Sequence, residues 1–368
     1  MGMIRFFLAV CVVFAHCPWH GSGDYFLLNG RNSVQIFFMI SGFLISYVLK
    51  NNPGYQRSRT FYLGRAFRIY PIYWVVAGAA LVLSVATHEN PVAIIPHMPW
   101  GARIALIVSN ALILGQDWIM FSGINNGHFV FSTNFMHSNP PVFFGLVLSP
   151  AWSLDVELSF YLLAPFILKK RARVVSVLAV SLALRLAFFF MRPDLVVSDP
   201  WTYRFFPFEI SLFMLGALSQ DLMLPWWAGL QKKSIYASYG TAFFIAAGAS
   251  MFLIPGNEFY KSLFLFCSFF ACLPLAFIFQ NDHKWDSALG ELSYPIYVSH
   301  LLVLMTLPRI LRNIYHFSDL SVTLFCVFYA IILASLLNRF IARPLEIYRK
   351  KITRTRKYPI QFDLPRQN

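Results

Sequence analysis

Arg5 and His16 sit eleven residues apart in MGMIRFFLAVCVVFAHC, an otherwise apolar stretch. On a helix of 3.6 residues per turn this spacing brings both side chains to one face, roughly 16 Å apart. A guanidinium and an imidazole are costly in lipid, so such a face turns to the protein interior or to a wet cavity and marks a functional candidate. Imidazole is the usual general base near neutral pH, able to take a proton from a hydroxyl as it attacks an acyl carbon. Two blander readings compete: His16 as a core histidine bonded to a neighbouring helix, and Arg5 as an inner-end anchor that snorkels.

A second constellation lies in SPAWSLDVELSFYLLAPF, residues 149–166. A helix beginning near Trp152 stacks Ser153, Glu157 and Tyr161 on one face at four-residue spacing. Asp155 falls in the first turn, where the helix dipole favours an acid. Glu157 lies deeper, where an unpaired carboxylate is costly, and it is expected to orient His16 or the acceptor, or to relay a proton. Arg65 and Arg68 are one turn apart and read either as positive-inside markers or as partners for phosphate groups. Ser41-Gly42 interrupts a bulky run, which suits close helix approach or a substrate contact. Arg185 and Glu209 each interrupt an apolar span, in the outer halves of neighbouring helices, and are expected to form a structural ion pair. His300, two turns from the cytoplasmic end of its expected helix, is a packing histidine or part of a donor pocket.

These residues need a membrane scaffold to position them. The chain of 368 residues is 58% hydrophobic and 12% charged, far more apolar than a soluble domain. The net charge of +14 is spread in short runs between apolar segments, a topology signal that leaves no domain for nucleic acid. Apolar spans near 3–19, 34–49, 69–86, 153–168, 174–190, 205–223, 235–253, 262–279, 294–311 and 322–341 predict an all-α bundle of about ten crossings. Basic loops at 50–68, 169–173 and 232–233 and the basic end from 343 place both termini in the cytoplasm. The region 87–152 then reads as external, with 102–114 re-entrant, interfacial or paired with a second crossing near 142–148. The chain divides into a membrane domain, 1–341, and a basic, lipid-facing cytoplasmic tail, 342–368. A secretory signal at the N-terminus is disfavoured by His16 directly before Cys17 and by the further span that follows. Five cysteines in apolar stretches form neither a disulfide framework nor a metal-ligand spacing, so no metal is expected.

In order along the chain, Arg5 with ten residues before His16, FFMISGFLI at 37–45, FYLGRAFRIYPIYW at 61–74, WSLDVELSFYLLAP at 152–165, EISLFMLGAL at 209–218 and LGELSYPIYVSHLLVL at 289–304 resemble acyltransferase family 3. These are integral membrane O-acyltransferases that modify cell-envelope and exported carbohydrates. The resemblance implies that His16 is the essential histidine with Arg5 its companion, and that Arg65, Arg68, Trp152, Ser153 and Glu157 are functional. It also implies acyl-coenzyme A, most often acetyl, as co-substrate with no bound cofactor. A carbohydrate acceptor, a bacterial inner-membrane location and glycan-biosynthesis partners follow from the same resemblance. Gln35 stands where the family is often acidic, and no hydrolase-like domain follows the membrane part. The alternative is a glycan transporter, whose intramembrane charges would line a path and whose inverted repeats are not evident.

Overall fold

The computed structural model describes residues 1–17, 27–55, 57–196, 198–314 and 317–353. Its helices are α1 (Gly2–His16), α2 (Gly30–Asn51), α3 (Ser58–Thr87), α4 (Trp100–Leu112), a single turn α5 (Gln116–Ile119), α6 (Trp152–Ile167) and α7 (Arg171–Met191). They continue as a short α8 (Pro193–Val196), α9 (Phe206–Leu218), α10 (Leu224–Ala228), α11 (Lys233–Ser250), α12 (Glu258–Asp282), α13 (Lys284–Ile314), α14 (Asp319–Leu337) and α15 (Arg343–Thr353). A small hairpin, β1 (Ser122–Asn125) with β2 (His128–Phe131), pairs Ser122 with Phe131. Its turn is Asn126-Gly127, both with positive φ, the pair that a two-residue hairpin loop demands.

The protein is an all-α membrane helix bundle. Among the described residues six helices are long and apolar enough to cross a bilayer: α2, α3, α7, α12, α13 and the continuous stretch Asp319–Tyr348. The remaining expected crossings fall on α1, α6, α9 and α11, which are too short or too polar to qualify by themselves. The outer end of the first expected span beyond Cys17, and the basic tail beyond Thr353, lie outside the described residues.

α1 is the axis of the bundle, packed along α13 and α2 and touching α11, α12 and α14. Its start is fixed by Asp286, whose carboxylate accepts the N–H groups of Gly2 and Met3 at 2.6 and 2.7 Å, satisfying donors that a helix end leaves open. A Cβ on Gly2 would stand 1.6 Å from the Asp286 carbonyl oxygen, so only glycine lets α1 seat there. The α2–α9 pair is tighter still. A Cβ on Gly42 would be 2.0 Å from the Phe213 carbonyl oxygen, and one on Gly216 would be 1.9 Å from that of Met39. Two glycines thus let the two backbones touch, the close approach that small residues permit in membranes.

The region 87–152 is tied to the bundle through the end of α4 and through α5. Tyr70 and Tyr73 hydroxyls and the Trp74 indole N–H, from the middle of α3, donate to the carbonyls of Leu112, Asn110 and Ala111 at 2.7, 2.8 and 3.0 Å. The last carbonyls of α4 therefore abut the midpoint of α3. The second crossing near 142–148 does not form; Val142–Gly145 is a single 3₁₀ turn. Asp117 on α5 donates its N–H to the Asp155 carboxylate at 2.9 Å, which ties α5 to the first turn of α6.

Candidate active site

A cavity of about 510 Å³ opens between α2, α3, α6, α12 and α13. At the end near the basic loop its wall includes Asn51, Asn52, Tyr55 and Gln280, and at the other end it reaches Val34, Phe37 and Phe38. Residues 34 to 51 of α2 span about 25 Å at the helical rise, so the cavity traverses most of that helix's length. Arg5, Arg65 and Arg68 line it with Glu157, three guanidiniums to one carboxylate. Arg65 is buried, lies 5.8 Å from the Phe61 and Tyr161 rings, and has no partner for its Nε–H among the described residues. A buried cation with an unsatisfied donor is a receptor for an anion.

Ser153, Glu157 and Tyr161 all line the same cavity, as their spacing on α6 predicts. Glu157 accepts hydrogen bonds from the Ser41 hydroxyl, at 2.5 Å, and from the Tyr161 hydroxyl. Its expected role of orienting His16 does not fit. A Cβ on Gly30 would lie 2.9 Å from Ala15 Cβ, so His16 stands level with the start of α2. Ser41 is eleven residues further along, about 16 Å inward, and Glu157 stays there with Arg5 and the two loop arginines.

His16 is outside the cavity wall and exposed, about one turn beyond Val34, with its Nδ1 2.9 Å from the Val12 carbonyl. His300 is displaced from its expected position. α13 begins at Lys284, ten residues before the apolar span does, so His300 lies four turns from the helix start and not two. It is fully buried with its ring centroid 5.0 Å from that of His16, and it does not line the cavity. Arg185 Nη2 is 2.6 Å from Glu209 Oε1, and Gln35 Nε2 donates to the other Glu209 oxygen at 3.1 Å. Gln35 thus serves as a neutral donor to a buried carboxylate, where an acid would repel it.

Sequence reasoning missed two groups. Tyr294 and Tyr297 of SYPIY both line the cavity; Tyr294 donates to the Ile69 carbonyl at 2.6 Å and Tyr297 to that of Pro150 at 3.0 Å, while Tyr297 also shares a hydrogen bond with Ser153. Their three-residue spacing beside a helical arginine face was the available signal. On the opposite side of Trp152, the Arg204 guanidinium lies 4.5 Å from the indole and 4.6 Å from the Tyr203 ring, and grips Asp199 with two bonds of 2.6 and 2.8 Å. Burial holds the Tyr203 phenol up at about 12, so it remains a donor, 3.1 Å from Asp199. Trp152 itself is buried and is not part of the cavity lining. Its indole packs against this cluster while the adjacent Ser153 faces the cavity. Nothing before residue 197 in the sequence points to a loop arginine here.

Known proteins give the following likenesses. The family described as Acyltransferase domain matches residues 1–339. Nodulation protein 10 of Rhizobium leguminosarum bv. viciae is 26% identical over 338 residues, 83% of this chain and 82% of its own. An uncharacterized protein of Aquifex aeolicus is 25% identical over 158 residues, 42% of this chain and 69% of its own. No solved structure matches.

Proposed function

This chain belongs to the acyltransferase family whose domain spans residues 1–339, and we propose from that premise that it moves an acyl group from acyl-coenzyme A to a carbohydrate hydroxyl. It is an integral membrane acyltransferase of the class that transfers groups other than aminoacyl groups. The donor, the acceptor, the general base and a bacterial inner-membrane location are the proposed parts.

The observation that carries the reading is the cavity, lined by three arginines beside Glu157, whose Val34 end lies about one turn from His16. Positive-inside orientation makes the end near the basic loop cytoplasmic, where acyl-coenzyme A is found. Arg65 and Arg68 take phosphate oxygens of the nucleotide, and Arg5 receives charge further along. The slender pantetheine arm fills the passage between α2 and α13, past Ser41, Tyr294 and Tyr297, and carries the thioester to the Val34 end. His16 takes the proton from an acceptor hydroxyl as that oxygen attacks the thioester carbon. The ester C–O bond forms, the C–S bond breaks, and the thiolate regains a proton and withdraws. A one-step transfer needs no acyl-enzyme. The aromatic and carboxylate cluster of Trp152, Tyr203 and Asp199 offers stacking and hydrogen bonds to a sugar on the other side.

Purified full-length protein supplied with acetyl-coenzyme A and cell-envelope glycan tests this. The reading expects glycan-dependent release of free coenzyme A that disappears in His16→Ala. A folded wild type without turnover, alongside an altered glycan export in cells carrying His16→Ala, would give the lead to transport.

A further inference from the structure

Four hydroxyls on the cavity wall each give their single hydrogen to one acceptor: Ser41 and Tyr161 to Glu157, Tyr294 to the Ile69 carbonyl and Ser293 to the Gly290 carbonyl. Ser153 and Tyr297, also on that wall and both buried, are arranged differently. Their oxygens lie 2.5 Å apart, and the Pro150 carbonyl is 3.1 Å from Ser153 Oγ and 3.0 Å from the Tyr297 hydroxyl. Each hydroxyl carries one hydrogen, so two hydrogens face three contacts and one contact always goes without. A serine bonded to the carbonyl three residues back is a local, self-contained arrangement. The Tyr297 hydrogen has two competing acceptors and can be re-aimed. The pair also stands at the right depth. Ser153 lies four residues before Glu157 on α6, about 6 Å closer to the Val34 end. The Tyr297 ring meets that of Phe37 edge-on at 6.3 Å, and its other neighbour, the His300 ring at 6.0 Å, is 5.0 Å from the His16 ring.

We propose that Tyr297 is the oxyanion donor of the acyl transfer, its O–H bonding the thioester carbonyl oxygen while Ser153 and Pro150 hold the phenol in place. This rests on the acyl-transfer reading and adds the group that meets the negative charge. As the acceptor oxygen bonds the acyl carbon, the carbonyl π pair moves onto its oxygen, which takes the Tyr297 hydrogen bond without taking the proton. The pair then returns, the C–S bond breaks and the thiolate leaves with its electrons. The acceptor's proton goes through His16 to water and the thiolate takes one up from water, so no other reactant is needed. A neutral carbonyl offers the Tyr297 hydrogen no more than Pro150 does. An oxyanion offers a charge-assisted bond roughly twice as strong. The hydrogen therefore turns to the substrate as charge develops, and the gain falls on the transition state and not on donor binding. Val34, Phe37 and Phe38 give this end an apolar wall, which strengthens that bond further.

The test compares purified full-length wild type, Tyr297→Phe and Ser153→Ala, each below its melting temperature, with acetyl-coenzyme A and the glycan fraction. Phenylalanine keeps the ring against Phe37 and removes only the hydroxyl. It should lower kcat by about 100–1,000-fold while KM for acetyl-coenzyme A stays within about twofold. Ser153→Ala leaves the phenol its hydrogen and should lower kcat by less than about tenfold. S-ethyl-coenzyme A, a thioether without the carbonyl, should inhibit wild type and Tyr297→Phe with equal Ki. A wild-type kcat in Tyr297→Phe, or a loss confined to KM, would overturn the assignment and leave the acyltransferase intact. So would a Ki that rises in step with the loss, since that marks a deformed cavity. Should Tyr297→Phe not fold, Ser153→Ala decides: a loss of about 100-fold or more moves the donor to Ser153 and overturns the assignment, and a loss under about tenfold upholds it. A folded wild type that turns over no donor removes the underlying reading and this one with it.

Discussion

Replacing Gly42 by alanine tests the packing on which the cavity depends. The added Cβ falls 2.0 Å from the Phe213 carbonyl oxygen, whereas ordinary contact begins at 3.4 Å, so α2 and α9 must separate locally by about 1.4 Å. The obstacle is backbone, which cannot swing aside. Gln35 to Glu209 at 3.1 Å ties α2 to α9, and Ser46 to Gln220 at 3.0 Å ties it to the turn Ser219–Met223 that continues α9; that separation takes both beyond hydrogen-bond range. Overpacking of about 1–3 kcal/mol, with about 1 kcal/mol for each buried bond lost, gives a destabilisation of about 3–5 kcal/mol. Ser41 moves with its neighbour, so the Ser41–Glu157 bond is disturbed as well. Thermal unfolding of the purified protein in detergent should show Tm lowered by about 5–10 °C, with kcat reduced even at temperatures where the variant is folded. Gly216→Ala should act alike, because its Cβ meets Met39 from the other helix, and the double variant should cost less than the sum of the two. An unchanged Tm for Gly42→Ala would refute the reasoning, since no other feature of the pair could absorb the added atom.

Three further changes probe the site and its support. Arg65→Lys keeps the charge but loses the planar fork, and should raise KM for acetyl-coenzyme A by about tenfold with a smaller effect on kcat, read from initial rates. Glu209→Ala leaves Arg185 and Gln35 without their acceptor and should cost about 2–4 kcal/mol in thermal unfolding, whereas Glu209→Gln, which keeps an acceptor oxygen, should cost less. Arg204→Ala frees Trp152 and Asp199 and should raise KM for the glycan without altering KM for the donor; the reverse pattern would place this cluster on the donor side.

Periodicity and charge made much of this legible. The Ser153, Glu157 and Tyr161 face needs only helical spacing, and the Arg185–Glu209 pairing follows from the cost of two lone charges in apolar spans. On α1 the same spacing argument covers less: Arg5 lines the cavity, whereas His16 stands outside its wall. Depth was not legible. The start of α13 is amphipathic and charged, so hydropathy alone began it ten residues late and misplaced His300. Orienting His16 stood among the roles expected of Glu157, with contact to the acceptor and proton relay, because sequence spacing says nothing about register between helices; the close approach of Ala15 to Gly30 sets it. The position of the end of α4 depends on Tyr70, Tyr73 and Trp74 capping its last carbonyls, a tertiary arrangement with no local signature. The Asn126-Gly127 hairpin, by contrast, carries a recognised turn pair in its sequence and was open to a closer reading.

Donor on one side and acceptor on the other is the central claim, and sidedness tests it most directly. Full-length protein is reconstituted in sealed vesicles, oriented with the basic-loop end of the cavity inward, with radiolabelled acetyl-coenzyme A trapped inside and glycan added only outside. Label should appear on the external glycan, with coenzyme A retained in the lumen, and neither should occur with His16→Ala. Transfer only when donor and glycan share the same compartment would contradict a passage that delivers the thioester across the membrane.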